Sequence, residues 1–245
     1  MKQFLLIIIA VMVSFTFISA DIYMKEVEHR DAYTMGGANI PASDNENEYW
    51  IKDKKIVFKS DRNKTYLFDL TEKKFLFIND KENTYVEIST PPELSRVLSD
   101  QLAAKYDMYK ETGTVTKTDR TQKLQDKTCT GYEVKTWKDS GGIRFSERSA
   151  IVWATADVSF DLNVYYGMLR CIRTLYNRDE ILLKNLDQIK GCQMGMDMIM
   201  VRQDTEIKIT HKIVEMTQKK APEDMFSVPK DYTKKEKLSF NDLWR

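Results

Sequence analysis

Between residues 21 and 89 the chain changes every few residues from a short apolar stretch to a polar break, and that rhythm restricts the architecture more than any other feature. Stretches at 22–30, 49–52, 55–59, 65–70, 74–78 and 84–88 are rich in aromatic and β-branched residues, the composition of strands. The breaks between them carry Asp, Asn, Lys or Glu, as turns do. Tyr66, Phe68 and Leu70 alternate with Leu67 and Asp69, and Ile56 shares a face with Phe58. Links this short permit only antiparallel neighbours, because a parallel return needs a crossover of a dozen residues or more. A β-meander is therefore expected here. Residues 36–37 and the polar stretch 43–48 are read as loops within it.

At Thr90-Pro91-Pro92-Glu93 the pattern changes to one suited to a helix start, with Thr90 as cap and Pro in the first turn. Leu94, Val97, Leu98, Leu102 and Tyr106 recur at three- and four-residue spacing, which predicts one helix to about Tyr109. Strands are expected again from 113 to 153. A second helical region is expected over 161–189, kinked or split at Asn177-Arg178-Asp179 and ended by Gly191. Two further strands, 192–203 and 205–217, lead to a Pro-punctuated extended tail from Ala221 and a short amphipathic end at 240–244. No internal repeat stands out. Strand blocks separated by helices point to a single α+β domain, residues 21–245, built on an antiparallel sheet.

Residues 1–20 have the layout of a secretory signal peptide: basic Lys2, an apolar run from Phe4 to Ile18, then small Ser19-Ala20 before Asp21. The run falls short of the ~20 residues that cross a bilayer. No Cys lies near the expected cut, which argues against lipoprotein acylation. Cleavage after Ala20 leaves 225 of the 245 residues and removes one lysine, so that 37 basic residues balance 37 acidic ones. A neutral chain has no global field to attract nucleic acid. The expected location is the periplasm or the extracellular space.

The catalytic inventory is poor. The two histidines, His29 and His211, are far apart in sequence, and no nucleophile elbow, His-Glu-x-x-His, phosphate-binding Gly loop or Cys-x-x-Cys occurs. Glu26 and Glu28 share one strand face near His29 and Asp31; a solvated cluster is the plainer reading, and a hydrolase site the weakest functional one. Three cysteines, Cys129, Cys171 and Cys192, allow at most one disulfide. The sequon Asn63-Lys64-Thr65 is read as a turn.

One local pattern stands out. Met194, Met196, Met198 and Met200 alternate along a single expected strand and so share a face, and Cys192 extends their stripe. Such a stripe serves as core packing, as a re-packable wall for an apolar ligand, or as soft donors for Cu(I), with His211 on the next strand able to join a metal site.

Several segments carry a resemblance. Tyr49-Trp50-Ile51 with Asp53-Lys54, Thr65 to Asp69, Lys74 with Thr84-Tyr85, Lys127 to Val134, Trp153, Gly191 and the tail residues Pro222, Phe226, Val228, Pro229 and Tyr232 resemble bacterial exported proteins of a domain-of-unknown-function family placed near the LolA-like lipoprotein carriers. The resemblance implies a curved antiparallel sheet, an unclosed half-barrel, whose concave face is covered by helices. Related folds hold acyl chains or lipoprotein segments there, and no catalytic residue or cofactor is implied. The expected function is non-enzymatic binding of a lipophilic ligand, with Trp50, Phe58, Phe68, Phe77 and the four methionines as lining. A periplasmic copper-binding protein is the alternative. The expected partners are the lipophilic ligand or lipoprotein and a protein at a membrane surface, with no nucleic acid, the chain itself acting as a monomer.

Overall fold

The computed structural model describes residues 21–108, 110–140, 142–177, 179–202 and 204–244. The expected signal segment, Tyr109 at the expected helix end, and Arg178 of the expected kink lie outside the described residues. The first strand block comprises β1 (Ile22–Arg30), β2 (Tyr33–Met35), β3 (Ala38–Ile40), β4 (Ser43–Lys52), β5 (Lys55–Ser60), β6 (Lys64–Asp69), β7 (Lys74–Asn79) and β8 (Thr84–Ser89). From β4 to β8 each strand pairs antiparallel with the next. The four turns between them place Asp53, Asn63, Lys73 and Asn83 in the left-handed region, at φ of 50°, 55°, 50° and 53°. These turns recur every ten residues, a repeat carried by backbone conformation and only partly by residue type. Asn and Asp tolerate that conformation because their short polar side chains bond locally.

Residues 43–48, expected as a loop, form the first half of β4, paired with β1 from Ser43↔Arg30 to Ile51↔Ile22. Their alternation is polar on both faces, which is why strand propensity misses them. The segment 36–37 is the turn of a small separate hairpin, β2–β3.

The expected single helix from Leu94 is two: α1 (Leu94–Val97) and α2 (Asp100–Met108). Leu98 between them is extended and bridges to Leu238, and the Ser99 amide donates to the Leu238 carbonyl at 2.9 Å. A contact 140 residues downstream thus breaks a helix that local spacing would continue. The prolines precede the helix entirely, and its N-cap is Glu93 with no side-chain cap bond.

Three long strands follow, β9 (Lys110–Leu124), β10 (Lys127–Ser140) and β11 (Ile143–Thr155), then α3 (Leu162–Tyr176) and α4 (Glu180–Leu186). The split between the two helices falls where expected. Asp161 caps α3 and Asp179 caps α4, each side chain accepting a hydrogen bond from a first-turn amide. Gly191, however, does not end a helix, since α4 stops at Leu186. At φ 110° its Cα packs on the backbone of Thr155, where any Cβ would overlap main-chain atoms. Glycine is needed there for close approach.

The chain ends with β12 (Cys192–Arg202), β13 (Thr205–Gln218), a tail, β14 (Thr233–Lys235) and α5 (Phe240–Trp244). All the strands except β2 and β3 join one open sheet of 12 strands, in the order β14-β8-β7-β6-β5-β4-β1-β13-β12-β11-β10-β9. Two sequential meanders meet where β1 pairs with β13. The sheet is mixed, not purely antiparallel, because the returning tail sets β14 parallel to β8. The result is an α+β molecule on a large unclosed sheet.

Alternation assigns the two faces. On one, the helix face, Met24, Tyr49, Ile56, Tyr66, Phe68, Phe75, Phe77 and Ile88 pack against Val164, Tyr165, Met168, Cys171 and Leu175 of α3. On the other, Tyr23, Trp50, Val57, Leu67, Leu76 and Ile78 are covered by the tail through Ala221, Met225, Phe226, Val228 and Tyr232. A third cluster, with Val115, Tyr132, Val134, Val152 and Ile189, lies in the second meander beside α4. No helix among the described residues is long and apolar enough to cross a membrane.

Candidate ligand-binding site

The junction of the two meanders brings together side chains that are remote in sequence. On β1, Met24, Glu26 and Glu28 point to the helix face. Across one ladder Glu28 is directly opposite His211, and across the other Glu26 faces Asn47 and Glu28 faces Asn45. A register shift between Lys25 and Glu26, with Val214 as the extra residue of β13, bends the pair at this point.

Glu26 is the centre of the resulting network. Its carboxylate accepts from the Asn47 amide at 3.0 Å and the Tyr49 hydroxyl at 3.1 Å, and lies 3.1 Å from His211 Nδ1. His211 Nε2 lies 3.6 Å from Glu28, which also accepts from Asn45 at 3.0 Å and Arg62 at 3.3 Å. The Glu26 and His211 side chains retain only 15% and 22% of their exposure, so this is not the solvated cluster expected from sequence. Burial pushes the Glu26 carboxyl up, but the hydrogen bond and charge of His211, with the Asn47 and Tyr49 donors, outweigh it and hold its pKa below the ordinary value. Burial pushes the His211 imidazole down, and the Glu26 bond with the charges of Glu26 and Glu28 outweighs that, leaving its pKa raised. The two shifts agree: each group favours the charged state of the other.

Two chambers open on either side of this pair. One, about 210 Å³, is roofed by Met168, Leu169 and Ile172 of α3 and walled by Met194, Met196 and Ile213. The other, about 420 Å³, is polar, with Glu28, Ser60, Asp61, Arg62 and Lys64 around it and the Tyr66 and Tyr176 hydroxyls, 2.7 Å apart, at one side. Glu26, Phe58 and His211 line both chambers and form the wall between them.

The residues expected to line a cavity are distributed unevenly. Phe58, Met194 and Met196 line the apolar chamber. Phe68 and Phe77 are on the helix face but fully packed at 3% and 1% exposure, Phe68 beneath Gly167 of α3. Trp50 points to the opposite face, beneath the tail, because β4 places Tyr49 and Ile51 toward the helices. The methionine stripe is not one wall. Gln193 pairs with Ala154 and Gly195 with Trp153, so that Met194 is an extra residue in the ladder, and Gln193 joins the chamber lining instead of the far face. Met198 packs on the third cluster, and Met200 lies farther along, opposite Arg148 and Ile207.

His29 does not join the two glutamates. It sits on the other face of β1 and bonds to Asp44 at 2.6 Å and Asp31 at 3.2 Å; the histidine that Glu26 and Glu28 do meet is His211. Both His211 nitrogens, the atoms a metal would need, face the Glu26 and Glu28 carboxylates, although the ring lies opposite Met196. The three cysteines are free and buried. Burial pushes the Cys171 and Cys192 thiols up to about 12, so neither is a thiolate nucleophile at neutral pH. Cys192 Sγ lies 3.9 Å from Met24 Sδ in the core. Sequence reasoning passes over Asn45 and Asn47 because their segment, 43–48, reads as a loop, and it places Tyr49 on a strand without a role at the site. The every-second-residue spacing of the three, which sets them opposite Glu28, Glu26 and Met24, is the available signal.

Comparison with protein-family models finds no match, and comparison with curated proteins finds no significant one.

Proposed function

We propose that this chain is a non-enzymatic binding protein that accommodates a lipophilic ligand, an acyl chain or a lipoprotein segment, in the chambers beneath α3. The sheet would then serve as an unclosed half-barrel of the LolA-like kind, with α3 as the cover of its concave side. We further propose that it works in the periplasm or outside the cell, on the strength of the apolar run from Phe4 to Ile18 and the small residues before Asp21.

The observation that carries the reading is the chamber between Met168, Leu169 and Ile172 above and Met194, Met196 and Ile213 below. Flexible, polarizable Met side chains on both sides let the walls re-pack around chains of different shape. Each methylene moved from water into such a site gains about 0.8 kcal/mol. At about 210 Å³ the apolar chamber is smaller than the ~300–1,000 Å³ of ligand-sized pockets, so a long chain would have to extend past Phe58 or displace α3. The acid–base pair beside it has its proton-binding atoms engaged with each other and with Asn47 and Tyr49, which suits a structural wall better than a catalytic group.

Titration with a fluorescent fatty acid tests the reading. Wild type should bind it with micromolar or better affinity. Met196→Leu, a volume-conserving swap worth under about 1.5 kcal/mol, should retain binding. Met196→Asp should lose it by placing an unpaired charge in the apolar wall. Failure of folded wild type to bind, or binding unchanged in Met196→Asp, would overturn the proposal.

A further inference from the structure

The polar chamber contains a buried cation whose valence is only partly used. Lys64, at the start of β6, is 7% exposed, and its ammonium donates to the Leu243 carbonyl at 2.7 Å. An ammonium has three donors, and no carboxylate lies within ion-pair distance of Lys64 among the described residues. Beside it the Arg62 guanidinium, which offers five donors, makes one ion pair among the described residues, to Glu28 at 3.3 Å. The chamber carboxylates are differently placed. Glu26 is engaged by His211, Asn47 and Tyr49, and Glu28 by Asn45, Arg62 and His211. Asp61, the third, is an exposed residue at the rim, partly desolvated and within reach of the Arg62 charge. The charge that is both buried and under-partnered is therefore positive. The charge of Asp242 reaches Lys64, but that carboxylate is bonded to Lys235, Asn79 and Ser239. A buried ammonium with no carboxylate in direct contact is costly, and an incoming anion would relieve it.

We infer that the polar chamber receives the anionic head group of a single-chain amphiphile, a carboxylate or phosphate held by Lys64 and Arg62, while its tail passes Phe58 into the Met-walled chamber. This rests on the lipophilic-ligand reading above and specifies the ligand within it. Lys64 supplies a compact charge at the chamber wall, and Arg62 a planar fork suited to bidentate oxyanion binding. Exchange of the Arg62–Glu28 contact for the ligand leaves Glu28 paired with Asn45 and His211.

Calorimetric titration with decanoate, decyl phosphate, decanol and decylammonium separates the outcomes. One of the two anions should bind wild type at least tenfold tighter than decanol, and decylammonium should bind no better than decanol; which anion leads distinguishes carboxylate from phosphate. Lys64→Met should bring the anion down to the affinity of decanol. Arg62→Gln, at a mostly exposed side chain and so safe for folding, should weaken the anion severalfold even if Lys64→Met fails to fold. Equal binding of all four probes, or preference for decylammonium, would sink the head-group assignment while leaving the lipophilic reading intact. Binding of none would sink both. Anion affinity unchanged in Arg62→Gln would also overturn the assignment.

Discussion

Glu26 and His211 hold a position where evolution could have put two apolar side chains, and their energetics are those of a buried pair: breaking one side costs more than removing both. His211→Leu leaves the Glu26 carboxylate with Asn47 and Tyr49 but no counter-charge, a loss of about 3–5 kcal/mol for buried pairs. Glu26→Gln/His211→Leu removes the orphaned charge, while the one carbonyl oxygen of the side-chain amide can still accept from Asn47 and its nitrogen can donate to the Tyr49 hydroxyl. It should be the more stable of the two variants. The pH dependence has a definite sign. Glu26, lowered from 4.5, contributes stability above that value and loses it as pH falls through its folded pKa. His211, raised from 6.5, contributes below that value and loses it as pH rises through its folded pKa. The pair should therefore stabilise most between about pH 4.5 and 6.5, and the stability difference between wild type and the double variant should peak in that window. Urea melts from pH 4 to 9 read this directly. A difference that rises monotonically toward pH 8 would show that the imidazole is not charged in the folded state.

The relation of α3 to the sheet determines whether a chamber exists at all. Gly167 lets the helix descend onto the Phe68 ring, which a Cβ there would overlap, while the Tyr165 and Tyr166 hydroxyls accept from the Gln193 and Gly191 amides at 3.3 and 2.5 Å. Asp161 at the helix start pairs with Lys54 of the β4–β5 turn. Gly167→Ala should overpack this contact and destabilise by about 1–3 kcal/mol, and much less in a Phe68→Ala background, where the ring is gone. Thermal melts of the four proteins form a double-mutant cycle; strict additivity would show that helix and sheet relax independently. Elements of this kind differ in how legible they were. The hairpins of β5 to β8 and the break at Asn177 to Asp179 depend on neighbours in sequence, so propensity and spacing reveal them. The break at Leu98 depends on Leu238, the polar half of β4 on its partner β1, and the β1–β13 ladder on residues nearly the whole chain apart; no local pattern encodes these. The site inherits that limit. Glu26, Glu28, Phe58, Met194, Met196 and His211 could each be singled out in the sequence, but the register that sets Glu28 opposite His211, and turns Trp50 away, could not.

At the scale of the whole molecule the first meander is covered on both faces, and its second cover is the chain's own tail. Lys219 and Ala221 donate backbone hydrogen bonds to the Asp21 carbonyl and side chain, each at 2.9 Å, and the Lys219 ammonium lies 4.6 Å from the Tyr23 ring centre. The tail then crosses Trp50, Leu67 and Leu76 before β14 extends the sheet edge along β8. It returns to the helix face at α5. There Asp242, 1% exposed, accepts from Asn79, Ser239 and Lys235, and Leu238 bridges to Leu98. One segment thus closes one face, shields the β8 edge and splits the first helix. Loss of the tail would expose a contiguous apolar surface and an unpaired strand edge together, the combination that favours association between chains. Truncation after Lys220 should therefore give a protein that binds a hydrophobic dye strongly and self-associates in size-exclusion chromatography. Phe226→Ala, which thins the cover without uncovering the edge, should lower the melting temperature while the protein remains monomeric. A truncated chain that stays monomeric, dye-silent and as stable as the full chain would show that the tail is an accessory to this fold and not one of its two covers.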